Sequence, residues 1–136
     1  MIIYEKPGYI RVYYRPDTND IVFDWTNFLV TLEEIKELHQ KALATAQEKQ
    51  CFYYIAETSK VATTLRPEVI KWWADEWVAT MASAGLQGII TVVPKGAIAA
   101  LSTHSWQAQV INGIKMKNVK SLAEAETVIQ ELRRIA

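Results

Sequence analysis

The sequence predicts an α/β domain built on a mixed, mostly parallel sheet. Three observations carry this. Runs of β-branched and aromatic residues alternate with stretches whose apolar residues recur at helical spacing. The first two such runs are separated only by Pro16-Asp17-Thr18-Asn19-Asp20, which is turn chemistry and makes an antiparallel hairpin. Each later run is separated from the next by a helix, as parallel pairing requires. With 136 residues, 50% of them hydrophobic and 22% charged, residues 1–136 suffice for one buried core and not for two full-sized domains.

The elements follow in the order β-β-α-β-α-β-α-β-α. Residues 9–15 form the first strand, with Ile10, Val12 and Tyr14 on one face, and residues 21–25 form the second. Thr31 opens a helix, because Glu34 three residues later completes a capping box. Leu32, Ile35, Leu38, Ala42, Leu43 and Ala46 give that helix its apolar face. Residues 51–57 form the third strand. A long loop, 58–66, leads to Pro67, which suits a first helical position, and Gly85 caps the helix that follows. Residues 88–94 are nearly continuously apolar, the pattern of a strand buried on both faces. A third helix spans about 97–110. Residues 114–118 form a short edge strand guarded by Lys115 and Lys117. Ser121 and Glu124 form a second capping box, and Leu122, Ala125, Val128, Ile129 and Leu132 face the core from the last helix. Right-handed crossovers then leave nearly one topology.

Several function classes find no support. Fifteen basic residues cancel fifteen acidic ones, so the broad positive field of a nucleic-acid binder is absent. The single cysteine, Cys51, permits no intrachain disulfide and points to a reducing compartment. No apolar run is long enough for a membrane span, and the first residues do not read as a signal peptide; the expectation is a cytoplasmic chain. Gly85-Leu86-Gln87-Gly88 precedes a strand instead of opening a helix, so it reads as a cap and turn and not as a phosphate cradle. His39 and His104 lack the spacing of metal ligands and read as surface or boundary histidines, and no cofactor is expected. Cys51 reads as a packing residue. Glu57 ends a strand where α/β sheets keep their sites, yet it has no catalytic partner, and no enzyme activity is expected.

The segment Val69-Ile70-Lys71-Trp72-Trp73-Ala74-Asp75-Glu76-Trp77-Val78 is unusual in composition. At 100° per residue, Ile70, Trp73, Ala74, Trp77 and Met81 share a stripe that packs on the sheet. Trp72 then points outward, toward another surface or toward the 58–66 loop. With Glu57, Arg66, Trp73, Trp77 and Trp106, it outlines a candidate ligand or partner surface at one end of the sheet.

The chain resembles the SpoIIAA-like proteins of the STAS fold, also described as STAS/SEC14-like, whose small stand-alone members are common in Bacteroidetes. The resemblance covers nearly the whole chain. It rests on residues 21–28 (IVFDWTNF), on 51–60 (CFYYIAETSK) with the loop after them, on WWADEW at 72–77 running through AGL at 84–86 into GIITVVP at 88–94, and on SLAEA at 121–125. It implies a non-enzymatic interaction or regulatory module. Anti-sigma factor antagonists of this fold carry a phosphorylatable Asp-Ser-Ser-Gly motif before the helix after the third strand. The matching residues here are Ala62-Thr63-Thr64-Leu65-Arg66-Pro67, without its aspartate, serines or glycine. Thr58, Ser59, Thr63 and Thr64 are therefore the hydroxyls of a candidate regulatory loop. SEC14-type members carry lipids, so the resemblance implies as an alternative a small apolar ligand in a pocket beside residues 58–66 and the Trp-rich helix. Exposed aromatics and zero net charge also favour a protein partner or a symmetric homodimer.

Overall fold

The computed structural model describes residues 1–93 and 109–135. Among them the strands are β1 (Ile2–Lys6), β2 (Ile10–Arg15), β3 (Asp20–Trp25), β4 (Tyr53–Glu57), β5 (Gly88–Val92), β6 (Gln109–Ile111) and β7 (Ile114–Val119). They form one sheet in the order β1-β2-β3-β4-β5-β7-β6. β1, β2 and β3 pair antiparallel, β3, β4, β5 and β7 run parallel, and β6 returns antiparallel on β7. The α/β class and the mixed sheet agree with the sequence reading.

Three details of that reading need correction. The sequence order began with β2, whereas β1 precedes it and pairs with it through a Pro7-Gly8 turn, where Gly8 has φ of 83°. The expected helix over 97–110 falls largely outside the described residues, and its last two positions, Gln109 and Val110, lie in β6. Because β6 pairs with β7, the strand expected at the edge is interior; Lys115 and Lys117 face solvent from the sheet surface instead of guarding an edge.

Helix α1 (Leu32–Lys49) starts as its capping box dictates: Thr31 Oγ1 accepts from Glu34 N at 3.1 Å, and Glu34 Oε1 accepts from Thr31 N at 3.0 Å. The Trp-rich segment is one helix in three parts, α2 (Pro67–Trp72), a π-helical turn (Trp73–Trp77) and α3 (Val78–Ser83). Gly85, at φ 99°, ends it in the left-handed region where glycine carries no Cβ penalty. The last helix, α4 (Leu122–Ile135), starts with Ser121 Oγ accepting from Glu124 N.

The sheet has a core on each face. Ile10, Val12, Ile21, Phe23, Trp25 and Tyr54 point to the face covered by α1 and the Trp-rich helix. Val22, Tyr53, Ile55, Ile90 and Val92 point to the other, where Ala125, Ile129 and Leu132 of α4 cover them. The period-two alternation of strand side chains makes both faces of β3 and β4 apolar, which is why these strands hold the centre of the sheet.

Candidate functional site

The Trp-rich helix does not present the stripe expected from uniform helical spacing. Trp72 is only 9% exposed, whereas Ile70 is 50% exposed. The inward set is Val69, Trp72, Trp77, Val78 and Met81; Ala74 is exposed and Trp73 is half-buried. The π-helical turn explains the difference. In an α-helix Trp72 and Trp77 would stand about 140° apart, but an i→i+5 turn returns a residue five places on to the same face. The two indoles accordingly stack, with centroids 5.2 Å apart and planes at 21°.

Around that stack lies an aromatic box. His39 of α1 sits 5.9 Å from the Trp72 ring and 5.8 Å from the Trp77 ring. Phe23 of β3 closes the floor, 5.3 Å from His39 and 4.9 Å from Tyr54 of β4. Three side-chain polar atoms of this box are buried with no hydrogen-bond partner: His39 Nδ1, Tyr54 OH and Trp77 Nε1. Leaving a buried polar atom unpaired costs about 1–3 kcal/mol, so a cluster of three is not a neutral outcome of packing. Burial holds the His39 imidazole neutral, with its pKa lowered to about 3, and raises the Tyr54 phenol well above its ordinary value. Both groups stay uncharged across the neutral range. Like the Trp77 N–H, each is an uncharged group able to hydrogen-bond a neutral partner.

Tyr54→Phe tests the cost. Removing an oxygen that bonds to nothing should raise stability by about 1 kcal/mol in the ligand-free chain. Urea denaturation reads the change; a loss of 1 kcal/mol or more would mean that the hydroxyl is paired after all.

The loop beside the box is stitched to its surroundings. Thr58 Oγ1 donates to Val92 O at 2.7 Å, and Glu57 accepts from Ser59 N and Ser59 Oγ. Lys60 Nζ reaches Asp24 Oδ1 at 3.1 Å. Thr63 Oγ1 accepts from Phe28 N at 2.9 Å and donates to Asn27 Oδ1 at 3.3 Å. Thr64 and Arg66 are exposed, and Trp106 lies outside the described residues. The structure thus brings Trp72 and Trp77 together. It ties Glu57, Thr58, Ser59 and Thr63 into the neighbouring loop.

Sequence reasoning missed Phe23, His39 and Tyr54 as members of a shared site. His39 was legible only as a residue beside a core face. Cys51 is buried as expected, and burial raises its thiol pKa, so it is a packing residue and not a poised nucleophile. Among the described residues no group of three or more His, Cys, Asp or Glu side chains is placed to hold a metal ion. None of the described helices is long and apolar enough to cross a membrane. Two shallow crevices stand out on the described surface. One, of about 100 Å³, lies between the β2–β3 turn and α4, and the other lies at the β1–β2 turn, so neither is at the box.

No family model, no curated protein and no solved structure matches the chain.

Proposed function

We propose that the chain is a non-enzymatic regulatory module that takes a small, largely apolar ligand into the aromatic box. The trio of buried unpaired atoms, His39 Nδ1, Tyr54 OH and Trp77 Nε1, carries this reading. A ligand with uncharged polar groups would supply their missing partners and offset a cost that packing alone leaves in place. The walls are aromatic, which suits an apolar body. Neither titratable member changes charge near neutral pH, which argues for binding over proton transfer.

The resemblance to STAS/SEC14-like proteins supports the same reading from the side of sequence. Its SEC14 branch implies an apolar passenger, and its anti-sigma antagonist branch implies a protein partner or a self-associated form in the cytoplasm. A phospho-switch at Thr63 fits poorly, because that hydroxyl already holds Phe28 N and Asn27 Oδ1. Thr64 is the exposed hydroxyl of that pair.

Native mass spectrometry of protein purified from its native host, repeated after denaturation, tests the proposal. The expected result is a mass above a multiple of 15.5 kDa that disappears on denaturation and is absent from a Trp77→Phe, His39→Leu variant. Clean multiples of 15.5 kDa, with no passenger from any preparation, would remove the ligand and leave only an interaction module.

A further inference from the structure

We infer that the Trp-rich helix is a two-register switch, in which a one-residue slip exchanges Val69 and Trp72 for Ile70 and Trp73 in the aromatic box. Residues 67–77 contain two apolar doublets, Val69-Ile70 and Trp72-Trp73, each pairing like with like. In the structure the first member of each doublet is buried and the second is more exposed, and the π-helical turn makes up the extra residue before Trp77. In an uninterrupted α-helix the inward set would be Ile70, Trp73, Trp77 and Met81, spaced three, four and four residues apart. Trp77 and Met81 face inward in both registers. Only the upstream half turns, and it trades an aliphatic for an aliphatic and an indole for an indole.

Three further features lower the barrier between the registers. The upstream part, α2, is six residues long, and Arg66 gives it no side-chain cap. Between the Thr63 anchor and Pro67 only residues 64–66 intervene, with Thr64 and Arg66 exposed, and the rotation falls on this short span. The present register also leaves Ile70 half-exposed and leaves Trp77 Nε1 and His39 Nδ1 without hydrogen-bond partners. Single-turn π-bulges inside α-helices mark one inserted residue and recur at functional sites, which is the geometry seen here. The consequence is regulatory. In one register Trp72 fills the box; in the other it stands on the outer face of the helix, and Trp73 takes its place. The inference rests on the box being the working part of the module. A chain that slips but binds nothing would lose the ligand reading alone. A chain that binds but never slips would lose only the switch.

A double-mutant cycle on the full chain tests it. If Trp73 can replace Trp72, then Trp72→Gln should lower Tm by only about 5 °C and Trp73→Gln by about 2 °C, while the double variant loses more than about 15 °C. In a Cys51→Ser background, the thiol introduced by Ile70→Cys should label rapidly, and adding Trp72→Gln should slow labelling at least about tenfold as position 70 turns inward. Deleting Ala74 removes the inserted residue and places Trp72 four residues before Trp77, so the slip no longer has a spare residue. In that background Trp72→Gln alone should show the full loss. Additive losses in the cycle, failure of Trp72→Gln to fold, unchanged labelling, or rescue that survives the Ala74 deletion would each overturn the switch.

Discussion

Replacing Asp20 by alanine is expected to destabilise the chain by about 3 kcal/mol, the cost of breaking a buried ion pair from one side. Asp20 is only 1% exposed, and it opens β3 directly across from Arg15, the last residue of β2. The guanidinium grips it with two bonds, Nε to Oδ1 at 2.7 Å and Nη2 to Oδ2 at 2.8 Å, while Nη1 reaches Glu126 of α4 at 2.8 Å. These contacts raise the Arg15 pKa still further above its ordinary value. The triad therefore fastens the β2–β3 turn to the helix on the far face of the sheet. In Asp20→Ala the guanidinium keeps only the partly exposed Glu126. Urea denaturation should show the loss, and pairing Asp20→Ala with Arg15→Leu should restore part of it, because no half-paired charge then remains. A change below 0.5 kcal/mol in the single variant would mean that water replaces Asp20 freely.

The parts of this fold legible in the sequence are those specified locally. The α1 start was readable because Thr31 and Glu34 satisfy each other's backbone neighbours whatever the rest of the chain does. The β2–β3 hairpin was readable because turn residues stand between two β-rich runs. β1 was missed: its five residues show no clean alternation of buried and exposed positions, and pairing with β2 is what orders them. β6 has three residues, too few for any periodicity to register. The Trp-rich helix misled for a different reason. A fixed 100° step assigns faces correctly only while the helix stays α, and nothing in the local sequence announces a π-helical turn. The stripe expected from sequence coincides with the alternative register inferred above because both follow from the same uninterrupted 100° step. The box was illegible because its members come from β3, α1, β4 and the Trp-rich helix, and each taken singly reads as an ordinary core aromatic.

The same box predicts an acid sensitivity with a definite window. The folded-state pKa of His39 is lowered to about 3 by burial, against an unfolded value near 6.5. Below pH 6.5 the unfolded chain therefore takes up a proton that the folded chain refuses. Stability should fall as pH drops from 6.5 toward 3, by at most about 1.4 kcal/mol per pH unit, and should be indifferent to this residue above 6.5. Between pH 6.5 and 5 the loss from this linkage should be about 1–2 kcal/mol. Glu34 acts lower on the scale. The Lys6 ion pair and the Thr31 cap lower its pKa to about 2, so its contribution is present above about pH 4.5 and fades as pH falls through 2. The interval from 6.5 to 4.5 thus separates His39 from Glu34. Urea midpoints across that interval should slope downward toward acid in the native chain and flatten in His39→Leu; equal slopes would remove His39 as the cause. The charge that forms has no acidic side chain among the rings seen against it, since Phe23, Trp72 and Trp77 are all uncharged. Protonating His39 therefore strains the box directly, and any passenger held there should be released over the same pH interval in which stability is lost.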